Sequence, residues 1–115
     1  GYVYPTAVMV QQFEAAVEDS RVVLSWQIEG LATQGFNVWR ADNVKGLQAE
    51  KLTPAPVTWA ENGIYQYVDK SAVPGQSYWY WLENVDDGQR YGPQSATVPT
   101  GPTMQVRAFM PLVNS

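Results

Sequence analysis

Apolar and polar residues alternate along most of the chain, in short runs rich in β-branched and aromatic side chains. A period of two is typical of β-strands with one buried face, and the chain shows no convincing helical period. Gly, Pro, Asn and Asp, which favour turns, separate the runs. The predicted strands are Ala7–Val17, Arg21–Ile28, Gly35–Ala41, Ile64–Asp69, Ser77–Val85 and Arg90–Val98.

The same alternation predicts which side chains face the core. In the strands after the first, the inward set is Val22, Leu24, Trp26, Ile28, Phe36, Val38, Tyr78, Tyr80 and Leu82. In the first strand the apolar phase slips at Gln11–Gln12, between Val10 and Phe13. We expect a β-bulge or a switch between sheets at that point.

The segments between the strands read as turns and loops. Asp42–Glu50 is polar, Val73–Gly75 forms a turn, and Asp86–Gln89 is a hairpin turn with Asp-Gly at its centre. Pro54 and Pro56 mark an edge or a break, since proline cannot donate to a strand ladder. About seven short strands at this spacing predict an all-β antiparallel sandwich.

The amino-acid composition limits the kinds of site and partner that the chain can have. The 115 residues contain no Cys and no His, which removes disulfides, thiolate nucleophiles, the usual zinc ligands and the commonest general base. A net charge of −4 with no basic patch argues against nucleic acid as a partner. No apolar run is long enough to span a bilayer. Because the chain begins with Gly1 rather than Met, we expect that a leader, an upstream domain or a tag preceded it.

Four motifs carry a family resemblance. They are Trp26 in the second predicted strand, Gly35-Phe36-Asn37-Val38, Tyr65-x-Tyr67-x-Asp69 and Gly75-x-x-Tyr78-x-Tyr80. Together they resemble strands B, C, E and F of the fibronectin type III-like modules of bacterial secreted and cell-surface proteins. The resemblance implies an immunoglobulin-like sandwich in an extracellular setting, and it makes Tyr78 the tyrosine-corner residue, whose hydroxyl bonds to the backbone. Asp69 is implied to brace the turn before strand F.

The resemblance spans Gln12 to Pro99 and divides the chain into three parts. We expect an N-terminal arm and first strand at 1–11, the sandwich at 12–99, and a strand-like extension at 100–115. The sequence FMPLV in this extension resembles the YLPLV-like endings of some bacterial surface proteins. Fold alone does not determine function, so the candidate sites are judged residue by residue.

An aromatic cluster is the most distinctive predicted feature. If Phe36, Val38, Tyr78, Tyr80 and Leu82 point inward, then the side chains between them point outward on neighbouring strands. The predicted interaction face is Trp39, Trp79 and Trp81, with Tyr91 beside them. Three tryptophans expose on the order of 450–750 Å², more than a lone domain usually leaves uncovered. Three alternatives remain for what covers these tryptophans: the C-terminal extension, a protein partner or second copy, and a stacked sugar ring.

Both ends of the chain show strand-like alternation beyond the sandwich. The residues expected to pair there are Tyr2, Tyr4, Val8, Val10, Met104, Val106, Ala108, Phe109, Met110 and Leu112. Each arm pairs either with its own domain or with a neighbouring copy by β-augmentation. These two alternatives stay open at the level of sequence.

The acidic residues do not predict catalysis. Glu18-Asp19 and Asp86-Asp87 lie in predicted turns, where Asp is favoured for its local hydrogen bonds, so calcium is disfavoured there. No nucleophile elbow, phosphate-binding glycine loop or metal-ligand spacing is present, and no cofactor is expected.

We therefore expect a non-catalytic, extracellular structural module that associates with copies of itself into a surface filament or layer, through its terminal strands and its tryptophan face. The alternative is an accessory carbohydrate-binding module, or a passive spacer, of a larger secreted protein.

Overall fold

Two antiparallel sheets form a β-sandwich in the computed structural model, which describes residues 8–30 and 34–101. The strands are β1 (Met9–Glu18), β2 (Arg21–Glu29), β3 (Phe36–Ala41), β4 (Glu50–Lys51), β5 (Ala60–Glu61), β6 (Ile64–Asp69), β7 (Ser77–Asn84) and β8 (Arg90–Thr97). The first sheet has the order β1-β2-β6-β5 and the second β4-β3-β7-β8. None of the residues in these two ranges is helical, and the predicted all-β sandwich is confirmed.

The core lies between the sheets and is largely aromatic. Trp26 stacks on Tyr65 with ring centroids 5.7 Å apart, and Phe36 meets both rings edge-on. Leu24 and Leu82 are buried from opposite sheets. Because alternate side chains of each strand point the same way, one apolar face per sheet is enough to fill this layer.

The phase slip at Gln11–Gln12 is a β-bulge. In the pairing of β1 with β2, Gln11 lies opposite Gln27 and Glu14 opposite Ser25, so Gln12 and Phe13 together oppose Trp26. Gln12 adopts a positive φ of 53°. The extra residue restores the inward direction of Phe13, and β1 stays in the first sheet on both sides of the bulge.

The N-terminal arm is only partly described. Val8 is buried, and its carbonyl accepts a hydrogen bond from the Tyr91 hydroxyl at 2.8 Å. Val10 pairs with Ile28 of β2. These two arm residues therefore belong to their own sandwich, and the expected boundary after residue 11 falls inside β1. The other arm residues lie outside the described ranges: Tyr2, Tyr4, Met104, Val106, Ala108, Phe109, Met110 and Leu112.

Two local predictions are confirmed. The Val73 N–H donates to the Tyr78 hydroxyl at 3.0 Å, which is the tyrosine corner. The proline segment runs along the open side of β3, where Val57 exchanges two backbone hydrogen bonds with Phe36. Pro54 and Pro56 have no N–H to donate, so this segment pairs only in short stretches and β4 has just 2 residues.

Candidate functional site

Three tryptophans share the outward face of the second sheet. Trp39 of β3 lies directly opposite Trp81 of β7, and Trp79 lies opposite Ala41, two pairs further along the ladder and therefore on the same face. Their inward neighbours Tyr80 and Leu82 are fully buried, which fixes the direction of the indoles. We call Trp39, Trp79 and Trp81 the aromatic face.

The indoles of the aromatic face are half-buried. The Arg90 guanidinium lies 4.3 Å from the centre of the Trp39 ring, a cation–π contact, and the Trp39 indole N–H donates to Glu83 at 2.9 Å. The loop between β3 and β4 covers Trp81, because a Cβ on Gly46 would lie 3.2 Å from that ring. The exposed area of the three indoles is therefore smaller than the area of three fully exposed tryptophan side chains, which the sequence analysis assumed.

The loop between β3 and β4 carries two exposed apolar side chains. The β3–β4 loop that covers Trp81 also carries Val44 and Leu47, which are 57% and 64% exposed.

Tyr91 does not belong to the aromatic face. It lies opposite the buried Leu82 and points inward. Gly92 and Pro93 form a bulge opposite Trp81, and this extra residue reverses the alternation of β8. If the register of Tyr80 with Gln94 continued, Tyr91 would face Glu83 on the outward side, as the alternation had suggested. Burial, with a smaller contribution from the charge of Asp87, raises the pKa of Tyr91.

A buried ion pair joins the two sheets. Arg40 continues the inward series of Phe36 and Val38 on β3, and its Nη1 lies 2.9 Å from Oδ2 of Asp69 on β6. The Tyr80 hydroxyl donates to the same oxygen at 2.7 Å. The guanidinium also contacts Glu50 at 3.3 Å and lies 4.6 Å from the centre of the Tyr78 ring.

Asp69 accepts hydrogen bonds on both carboxylate oxygens. Its Oδ1 accepts from the backbone N–H and the hydroxyl of Ser71, at 3.0 and 2.9 Å. This confirms that Asp69 braces the turn before β7. Burial opposes its ionisation, but the hydrogen bonds from Tyr80, Ser71 and Arg40 outweigh burial and hold its pKa below the ordinary value. Burial and the Asp69 charge raise the pKa of Tyr80. The group is fully paired and has a structural role.

The sequence reasoning missed Arg40 and Trp59. The Phe36–Val38 alternation already placed Arg40 inward, so its burial could have been read from the pattern. Trp59 precedes β5 and is 70% exposed, the highest exposure of any large hydrophobic residue in the described ranges. The only signal for it was an aromatic residue beside a proline-rich segment.

The acidic turns serve local structure. Asp86 Oδ1 accepts from the Gln34 N–H at 3.0 Å, and Asp87 Oδ1 accepts from the Gln89 N–H at 2.9 Å. Within residues 8–30 and 34–101, no three acidic, His or Cys side chains are grouped closely enough to hold a metal ion. The same ranges contain no helix suited to crossing a membrane.

Comparison with known proteins gives the fold. No protein-family model and no curated protein matches the chain. Among solved structures, the chain is similar to a Fn3-like protein from Clostridium thermocellum, with a TM-score of 0.56 over 89% of this chain and 98% of that one. The fold is fibronectin type III-like. At 17% identity the likeness concerns the architecture alone, and a shared architecture does not determine a function.

Proposed function

We propose that the chain is a non-catalytic structural module of the cell exterior that associates with copies of itself. The observation that carries this proposal is the aromatic face, with two indoles in direct cross-strand register and a third beside them. Tryptophans are enriched at the centres of protein interfaces, where they contribute much of the binding energy. The β3–β4 loop, which contacts Trp81 at Gly46, carries two further exposed apolar side chains, Val44 and Leu47.

A second copy is the occupant that the sequence favours. The chain carries its own apolar strand-like segment, in which Met104, Val106, Ala108, Met110 and Leu112 alternate with other residues. Such a segment complements either an aromatic face or an open sheet edge. On the side of β6 away from β2, only Ile64 and Tyr65 have a strand partner among the described residues. This open edge is a second place where a neighbouring copy could add a strand.

Head-to-tail contact follows from this arrangement. The aromatic face and the segment from Met104 to Leu112 are different parts of one chain, so in this proposal each copy receives one neighbour and engages another. A heterologous contact of this kind closes into a ring or propagates into a filament. The extracellular setting is proposed from the resemblance of the sequence to modules of bacterial secreted and surface proteins.

Sedimentation velocity across a concentration series tests the proposal. We expect the full chain to sediment faster as its concentration rises. Trp79→Ala, and separately Val106→Asp with Met110→Asp, should reduce this dependence, because each removes one side of the contact. Trp59→Ala is the matched control, since it removes an exposed indole from the other sheet. A full chain that stays monomeric at every concentration would refute self-association.

A further inference from the structure

The bulge in β1 creates a polar pocket on the outward face of the first sheet. The pocket has a volume of about 210 Å³ and is lined by Gln12, Glu14, Ser25, Trp26, Gln27 and Ile64. Bulges commonly redirect a side chain, and here Gln12, with its positive φ of 53°, reaches Gln27 across the ladder. We call this concavity the amide pocket. It lies on the sheet opposite to the aromatic face.

The two amide side chains of the amide pocket hold each other in place, and the pocket keeps hydrogen-bond donors and acceptors that have no partner in the described part of the chain. The Gln27 Nε2 donates to Gln12 Oε1 at 2.7 Å, which fixes both amides. That contact leaves the Gln12 amide with N–H donors and the Gln27 amide with its oxygen as an acceptor. Glu14 forms no ion pair and the Ser25 hydroxyl no hydrogen bond within the described part of the chain. Donors and acceptors therefore converge on one small volume.

An exposed indole stands beside the pocket. Ala60 packs on the core, so the adjacent Trp59 points to the outward side of the first sheet, where it is 70% exposed. Ile64 lines the pocket and pairs with Glu61 of β5. Extending that register by one residue puts Trp59 roughly 7–8 Å diagonally from Ile64. A flat aromatic platform therefore adjoins a polar recess.

We propose that the amide pocket and Trp59 bind a neutral saccharide. Amides and a carboxylate match the paired donors and acceptors of neighbouring hydroxyl groups, and the indole offers a flat apolar surface for the C–H face of a sugar ring. No Lys or Arg lines the pocket, and Glu14 repels anions, so acidic glycans and phosphates are disfavoured. The volume lies below the roughly 300 Å³ at which drug-sized pockets begin, which suits one ring of a longer polysaccharide.

Affinity electrophoresis and calorimetry on the full chain test this site. The probes are the neutral polysaccharides cellulose, xylan, mannan and β-1,3-glucan, with heparin as the anionic comparison. We expect at least one neutral probe to bind and heparin not to bind. Trp59→Ala and Gln27→Ala should each weaken binding by at least about tenfold, the equivalent of 1.4 kcal/mol. Circular dichroism establishes that each variant is folded.

The matched control is Trp79→Ala on the other sheet, which should leave saccharide affinity unchanged. Absence of binding to every neutral probe overturns the site, as does binding that survives both Trp59→Ala and Gln27→Ala. The proposed self-association is measured separately and depends on Trp79 rather than Trp59. Failure of one proposal is therefore distinguishable from failure of the other.

Discussion

At the scale of single residues, the pair of Arg40 and Asp69 matters most for stability. Both charges are removed from water, since their side chains are 13% and 2% exposed. Such a pair gains little over a well-packed apolar pair, but removal of one partner leaves the other charge buried and uncompensated. The hydrogen bonds from Tyr80 and Ser71 complete the group. The two sheets are thereby joined by a polar contact as well as by the aromatic core.

Asp69→Asn should lower the free energy of unfolding by about 3 kcal/mol at neutral pH, because Arg40 then loses its buried counter-charge. Urea denaturation followed by tryptophan fluorescence measures the change. Glu61→Gln is the control, since this exposed carboxylate in β5 should contribute little. Equal stability of the two variants would show that the buried pair is not a stabilising contact.

The pH dependence of the protein's stability follows from the lowered pKa of Asp69. Its ordinary value is 3.8, and the folded protein holds it lower. The contribution of Asp69 to the free energy of unfolding is therefore complete above its ordinary pKa. It is lost as the pH falls through the lower pKa of the folded state. The difference in unfolding free energy between the wild type and Asp69→Asn should shrink as the solution is acidified through this range. A difference that stays constant on acidification would contradict the assignment.

At the scale of the strands, two bulges determine which residues reach each surface. The bulge in β1 redirects Gln12 to the amide pocket, and the bulge in β8 turns Tyr91 inward. Gly92 makes the second bulge possible. It adopts a φ of 123°, and a Cβ there would lie 2.7 Å from the Tyr80 carbonyl oxygen. The β8 backbone thus approaches β7 more closely than a residue with a side chain allows.

Gly92→Ala should destabilise the protein by about 3 kcal/mol, from backbone strain together with the clash against β7. Gly63→Ala is the matched control. Gly63 also has a positive φ, of 80°, but its added Cβ would meet nothing within 4 Å, so strain of about 1 kcal/mol remains. Thermal or urea unfolding of both variants measures the difference. Equal losses of stability in the two variants would show that the close approach of Gly92 to β7 does not itself destabilise Gly92→Ala.

The sequence predicted the strands well because alternation reports burial directly. Trp26, Phe36 and Leu82 could be placed in the core, and the slip at Gln11–Gln12 could be recognised as a bulge or a switch between sheets, since both depend on local patterns. The direction of Tyr91 could not be obtained in this way, because one inserted residue reverses a whole strand. Trp59 was missed since nothing in its neighbours shows that it is exposed.

At the scale of the whole molecule, the sandwich presents two different surfaces on opposite sheets. The aromatic face is apolar and partly covered by Arg90 and the β3–β4 loop. The amide pocket is polar, small and flanked by an exposed indole. Under the two proposals, copies of the chain meet at the aromatic face, and the amide pocket stays free for a saccharide. This separation allows each surface to be altered without disturbing the other.

The most direct test of self-association is a dilution series followed by NMR of the indole N–H groups. The five tryptophans give separate signals for the core, the aromatic face and the exposed Trp59. We expect concentration-dependent shifts for Trp39, Trp79 and Trp81, because their environment changes when copies meet, and constant signals for Trp26 and Trp59. Indole signals that do not change with concentration, or that change only at Trp59, would contradict the account.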